Sequence, residues 1–189
     1  TITAIFFEGG KKDADPNLDN VMNVLAQDGS LFPFWLRSCI LSAKLNESGR
    51  RYGWGERDVA LAAHHCHSTL IKALLIEHRS HFNLLNGDFR KAGYHLKSAA
   101  DSYRGCGQRD HAARCYIESL GVYNTGYWDA IHEQLYSTLT HQCVDLDRLR
   151  EAVDYYIDLL KHDGAIARIP AKQSDYLNDF ICVIQNLFA

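Results

Sequence analysis

The residues with the clearest capacity for metal chemistry are His64-His65-Cys66-His67. Imidazole nitrogens and thiolates are favoured zinc ligands, but zinc requires four converging donors, or three with a water. On a helix His64 and His67 can share a face while Cys66 points elsewhere. No second group with ligand spacing follows, so the cluster is expected to be helix surface and core, with no metal. Cys115 and His111 stand four apart and could touch on one helix. A cysteine nucleophile needs such a base, together with a strained turn or oxyanion donors. Their neighbours supply neither, and a structural role is expected. Gly105-Cys106-Gly107 is glycine-rich, but a phosphate loop leaves a strand and opens a helix. This triplet follows a helical pattern and closes it. The expectation is a chain with no catalytic residues, no cofactor and no bound metal.

The other cysteines, Cys39, Cys106, Cys143 and Cys182, are widely spaced and form no CxxC pair. Several of the six fall on apolar helical positions, where a free thiol acts as a small hydrophobe. That usage fits a reducing compartment better than a disulfide framework. The Asn46-Glu47-Ser48 sequon carries no meaning in a cytosolic protein.

The chain has 189 residues, of which 47% are hydrophobic and 23% charged, ordinary for a folded protein. Its net charge of -3 argues against nucleic acid as a partner. No run of eighteen or so apolar residues occurs, so no membrane span is expected. The charge is unevenly spread. Arg79, Arg90, Lys91, Lys97, Arg104, Arg109 and Arg114 dominate one stretch. Glu118, Asp129, Glu133, Asp145, Asp147, Glu151, Asp154, Asp158 and Asp163 dominate the next. Arg90, Lys91 and Lys97 on one side, with Asp154 and Asp158 on the other, are candidate protein-binding faces. The chain begins at Thr1 without a signal-peptide pattern and ends on an apolar helix, which reads as a piece of a longer protein.

Only Pro16, Pro33 and Pro170 interrupt the sequence, which suits helices. Ile2 to Phe7 fits a strand or a helix end, and residues 8–19 form a polar loop. Helices are expected over Leu18–Ala26 and Leu31–Leu45, with Leu31, Trp35, Cys39 and Ile40 near helical spacing and a glycine-containing loop over Asn46–Gly55. Glu56–Leu85 reads as helix, broken near Ser68, with Leu70, Leu74, His78 and Phe82 on one stripe. Asp88 is the expected N-cap of Phe89–Arg104, and Gly105 and Gly107 supply left-handed positions after it. Gln108–Tyr123 follows and stops at Thr125-Gly126. Tyr127–Cys143 presents Trp128, Ile131, Leu135 and Leu139. Leu146–Leu160 presents Leu146, Leu149, Val153, Tyr156 and Leu160. A linker over Gly164–Lys172 precedes the last helix, Gln173–Phe188.

Helix, short turn, helix is a repeating plan, and a tetratricopeptide hairpin makes particular demands of it. Small residues stand where helices cross closely, and aromatics fill the space beside them. Leu96, Ala99, Ala100 and Tyr103 on one helix, with Ala112, Tyr116 and Ser119 on the next, fit those offsets; Asn124 stands where a proline is usual. A looser unit follows after 40 residues: Tyr136, Leu139, Thr140 and Cys143, then Ala152, Tyr156 and Leu159. Residues 88–160 carry the signature, and no clear copy precedes residue 88. The expected fold is all-α, with tetratricopeptide-like antiparallel hairpins stacked as one α-solenoid over residues 1–189, a fold that offers extended protein-binding surfaces.

Ala73-Leu74-Leu75-Ile76-Glu77, His81-Phe82 and Arg90-Lys91-Ala92-Gly93-Tyr94-His95-Leu96 form a wider pattern. It continues through Gly107-Gln108-Arg109-Asp110-His111-Ala112-Ala113-Arg114-Cys115-Tyr116, Val122-Tyr123, Trp128 and Leu149-Arg150-Glu151-Ala152-Val153. On these residues the chain resembles the large eighth subunit of the TRAPP vesicle-tethering complex, which marks the TRAPP III form. The resemblance is good over about half the chain, fainter over 172–187 and loose before residue 70. It implies a non-catalytic scaffold segment in a complex that activates a Rab GTPase in ER-to-Golgi traffic and autophagy. The implied partners are other TRAPP subunits and, indirectly, the Rab GTPase, with membrane contact only through the whole complex. The implied location is cytoplasmic, peripheral to Golgi, ER-Golgi intermediate and pre-autophagosomal membranes. The alternative is an unrelated tetratricopeptide adaptor that captures a peptide in a concave groove lined by exposed Asn, Lys and Arg.

Overall fold

The computed structural model describes residues 20, 31–123, 128–161 and 169–188. Among them the ordered elements are all helical, as expected from the sequence: α1 (Phe32–Ser48), α2 (Tyr52–His65), α3 (Thr69–Leu85), α4 (Phe89–Gly105), α5 (Arg109–Tyr123), α6 (Asp129–Asp145), α7 (Leu149–Lys161) and α8 (Pro170–Leu187). The strand or helix end at residues 2–7, the loop over 8–19, the Leu18–Ala26 helix (Asn20 apart) and the Thr125-Gly126 stop lie outside the described residues. So do Asn124 and most of the linker before α8. The last helix starts earlier than its apolar pattern, because Pro170 is well suited to a first helical turn.

Four of the connections are one and the same device. At the ends of α1, α3, α4 and α6, a single residue takes a left-handed conformation: Arg50, Gly87, Gly107 and Asp147. The next residue's N–H then donates back to a carbonyl five residues earlier: Arg51 to Asn46 (2.7 Å), Asp88 to Asn83 (2.8 Å), Gln108 to Tyr103 (2.9 Å) and Arg148 to Cys143 (2.8 Å). This is the Schellman arrangement, which satisfies the carbonyls a helix end leaves unpaired. Each turn takes three residues and reverses the chain, so successive helices pack as antiparallel hairpins. Each helix makes its main contacts with the next one in the chain.

The loop expected over Asn46–Gly55 is thus only a turn at Gly49–Arg51. Asn46 lies in the last turn of α1, and Gly55 lies inside α2. Asp88 does not cap α4 through its side chain. Its carboxylate instead accepts from Asn86 (3.0 Å) and Lys91 (3.1 Å). Gly107 is left-handed as expected, whereas Gly105 is the last helical residue of α4.

The turns also set the register of what is buried. Four, eight and eleven residues past each one stand Gly55, Val59 and Ala62; Ala92, Leu96 and Ala99; Ala112, Tyr116 and Ser119; and Ala152, Tyr156 and Leu159. All twelve are buried. The same spacing of buried residues therefore also occurs in α2, before residue 88. It is hard to see in the sequence because glycine and valine replace alanine and the aromatic. Aromatic rings crowd the first place or its neighbour in two of the four helices. A Cβ on Gly93, next to Ala92, would lie 2.6 Å from the Tyr123 ring, and one on Gly55 would clash with Phe82.

Three buried clusters run along the chain. Trp35, Cys39, Val59, Ala62 and Phe82 bind α1 to α3. Ala99, Tyr103, Ala112, Tyr116, Leu135 and Leu139 bind α4 to α6, with Ala73 of α3. Cys143, Ala152, Tyr156 and Val183 bind α6 to α8. Two expected stripes are displaced. On α3 only Phe82 of the expected four is buried; Leu70 and Leu74 face outward, and Ala73, Leu75, Ser80 and Asn83 face in. On α7 the buried side chains are Ala152, Tyr156 and Leu159, while Leu160 is exposed and Leu146 belongs to the preceding turn. Ile40 of α1 is likewise exposed.

Candidate interaction surface

The chemistry-bearing side chains are dispersed by packing. His65 meets Trp35 edge-on with ring centroids 5.3 Å apart. His64 sits against His65, and His67 leans on Phe32 at 6.5 Å. Cys66 is buried and its thiol donates to the Ser68 carbonyl at 3.6 Å. Among the described residues no three His, Cys, Asp or Glu side chains converge. Cys115 is fully buried, and burial, with Glu77 nearby, pushes its thiol up to about 12. A thiol held so high stays protonated, and the thiolate is the nucleophile. His111 lies tilted against Tyr103, with ring centroids 5.4 Å apart. In the Gly105-Cys106-Gly107 turn, the Cys106 and Gly107 N–H groups donate back to carbonyls of α4.

The repeat residues form a hydrogen-bonded frame around the second cluster. Tyr116 is fully buried, and its hydroxyl donates to Asp101 at 2.5 Å. Ser119 Oγ donates to the Gly93 carbonyl at 3.0 Å, and the Tyr123 hydroxyl to the Arg90 carbonyl at 3.2 Å. Glu77 of α3 joins three helices. It accepts from the Tyr103 hydroxyl of α4 at 2.7 Å and from Arg114 of α5 at 2.8 Å. Burial, and then the Glu77 bond, raise the Tyr103 pKa, so the phenol remains a donor. Leu96, Ala99, Ala100, Ala112, Leu139, Ala152 and Tyr156 are buried, and Tyr136 is partly so.

Truncating Glu77 to alanine should cost about 1–2 kcal/mol, because it strands a largely buried phenol while Arg114 remains half exposed and solvated. Thermal melts of Glu77→Ala, Arg114→Ala and the double variant would check this. The expected Glu77–Arg114 coupling is below about 1 kcal/mol.

The candidate charged faces are unequal. Arg90 places its guanidinium 5.2 Å from the centre of the Trp128 ring, a cation–π contact. Lys91 pairs with Asp88, and Lys97 with Asp101 at 3.0 Å. The basic face is therefore largely spent on its own neighbourhood. Asp154 and Asp158 share the exposed side of α7 and form no ion pair among the described residues. Other charges link successive turns. Arg148 reaches Asp110 at 2.9 Å, and Arg109 reaches the Asp145 carboxylate at 3.8 Å. The wide sequence imbalance between basic and acidic stretches is thus partly matched within the chain.

The stretch 107–116, which carries the most specific part of the family resemblance, is spent on these joints: a turn, a fully buried tyrosine, and three charged residues paired with Asp145, Arg148 and Glu77. The chain is 27% identical over 153 residues to human trafficking protein particle complex subunit 8. The resemblance to that subunit is borne out. The match covers 80% of this chain and 10% of subunit 8, so the chain spans about a tenth of the length of the relative it matches. No model of a protein family matches the chain. Among the described residues, no helix is long and apolar enough to cross a membrane.

Proposed function

We propose that this chain is a scaffold segment of a TRAPP III subunit and acts by protein–protein contact without catalysis of its own. On this reading the hairpins stack as an α-solenoid over residues 1–189. The segment helps assemble and target a Rab guanine-nucleotide-exchange complex in the cytoplasm, serving ER-to-Golgi traffic and autophagy. Its partners are other TRAPP subunits and, indirectly, the Rab GTPase. Its membrane contact, at Golgi, ER-Golgi intermediate and pre-autophagosomal membranes, comes only through the assembled complex. The similarity to human subunit 8 carries the reading. Packing in chain order around three successive cores supports it, because helices that touch mainly their neighbours form extended arrays.

The adaptor alternative calls for a recurring row of exposed Asn, Lys and Arg on alternate helices. Exposed positions on α4 carry Arg90, Lys91 and Tyr94, whereas those on α6 carry Asp129, Ala130, Gln134 and His141. Such irregularity favours the scaffold.

The test is recovery of TRAPP subunits from cell extract by the tagged segment. Wild type should recover at least one subunit. Lys91→Glu with Lys97→Glu, and Asp154→Lys with Asp158→Lys, report which charged face takes part. The acidic pair is expected to matter more, since neither residue forms an ion pair among the described residues. Failure of the wild-type segment to recover any subunit would sink the proposal.

A further inference from the structure

The last helix carries a face that the fold leaves uncovered. α8 turns Tyr176, Phe180 and Val183 onto the third cluster. There Phe180 meets Tyr156 with ring centroids 6.1 Å apart, and the Tyr176 hydroxyl donates to Glu133 of α6 at 3.1 Å. A second apolar row runs along α8 beside that face: Leu177, Ile181, Ile184 and Phe188, the last of them closing the helix. Their steps of four, three and four residues are the heptad seam of paired helices. Leu177, Ile181 and Phe188 are 48%, 44% and 83% exposed, and Ile184 is half-buried. The row spans about 16 Å, three helical turns.

Two observations say what covers this row. Each of α2 to α7 packs between the helix before it and the helix after it, whereas α8 packs on α7 and, through Tyr176, on α6. The row continues the stacking plan with a face that calls for one more helix. Its surroundings also carry no charge. The exposed residues along its edges are Gln173, Ser174, Asn178 and Gln185. The charged residues of α8 are Lys172, Asp175 and Asp179. Asp175 and Asp179 each precede a residue of the row by two, about 200° round the helix, and Lys172 lies one turn before Asp175. All three stand on the far side. Charge is depleted at the cores of interfaces, and homodimer interfaces are the more apolar class. Charged flanks are what select a different partner helix, and this row has none.

We propose that this row pairs with the same row of a second copy of the chain, α8 against α8 in antiparallel order. The face calls for a helix with an apolar heptad seam about three turns long and uncharged edges, and α8 is itself such a helix. A two-fold axis between Ile181 and Ile184 closes the pair, as an isologous dimer requires. It sets Leu177 opposite Phe188 of the second copy and Ile181 opposite Ile184, so the large ring never meets itself. It also carries Asp175 and Asp179 of both copies away from the seam. A three-turn seam is small for a protein interface, so the dimer exchanges with monomer at a Kd of about 10–100 µM. The inference goes beyond the scaffold reading and does not rest on it.

Sedimentation velocity of the chain tests this, with reductant present because Cys182 is exposed. The mass should pass from that of one chain at about 1 µM toward that of two at about 500 µM. Raising salt from about 0.05 M to about 0.5 M should change the Kd by less than about threefold, because the seam holds no charge. Leu177→Asp/Ile181→Asp should weaken pairing at least about tenfold with its helical circular dichroism unchanged, since both side chains are exposed. Phe188→Asp, at the open end of the row, should weaken it too. Asp175→Lys, on the far side, should leave the Kd within about twofold. Monomer at every concentration overturns the proposal and leaves the row to a helix of another protein. A dimer that survives the Leu177 and Ile181 changes, or that dissolves in salt, also overturns it, for its contact lies elsewhere. The scaffold reading fails separately. Recovery of TRAPP subunits by a chain that stays monomeric overturns the pairing alone. Pairing as described without any subunit recovery overturns the scaffold alone.

Discussion

Tyr116→Ala should lower stability by about 3–5 kcal/mol, the usual cost of emptying a buried aromatic site. For a chain of this size each kcal/mol is worth about 2–4 °C, so the melting temperature should fall by at least about 6 °C. The cost is high because the ring has no route to solvent and shares its cluster with Ala99 of α4 and Leu139 of α6. Tyr116→Phe separates packing from hydrogen bonding. It removes only the 2.5 Å bond to Asp101 and should cost about 1–2 kcal/mol. Asp101 retains Lys97, so its carboxylate is not stranded. A calorimetric melt of both variants checks the pair. If Tyr116→Ala loses less than Tyr116→Phe, the packing account is wrong.

The second large effect is a change of sign among glycines. Gly93→Leu should cost about 1–3 kcal/mol, since even its Cβ would sit 2.6 Å from a tyrosine ring held by its own hydroxyl bond. Gly55→Leu should behave alike against Phe82. Gly121→Ala should instead raise stability by about 1 kcal/mol. It lies inside α5 with open space around it and loses only the flexibility that glycine gives the unfolded chain. Urea titrations of the three variants would show it: two midpoints falling and one rising. A rise at Gly93 would mean that α4 and α5 cross less closely than the structure has them.

The same glycines show what the sequence could and could not convey. Helices were legible because proline is almost absent and apolar residues recur at helical intervals. Residues 96–119 were legible in detail, since alanines and tyrosines there are conspicuous at their offsets. The buried set Gly55, Val59 and Ala62 is not legible in the sequence, because glycine, which normally signals a turn, here fills a crowded place inside a helix. Arg50 and Asp147 hid two of the four turns in the same way. Their left-handed backbone is enforced by the hydrogen bonds around it, where glycine would have announced it. The stripe on α3 failed for a different reason. Leu70, Leu74 and His78 have ideal helical spacing, but Ala73, Ser80 and Asn83 are what the neighbours can accommodate at close range. Periodicity found a face and chose the wrong side. Composition marks out the charged faces but does not reveal that Arg90 lies over Trp128 or that Lys91 and Lys97 have partners within one turn.

Packing in chain order has one more consequence. Each helix takes its bearing from the one before it, so direction is inherited along the chain. A tilt of a few degrees at the Gly93–Tyr123 crossing would be carried forward by every later helix, and the displacement would grow with distance. Two surfaces at opposite ends can therefore be brought into or out of alignment by a side chain that belongs to neither.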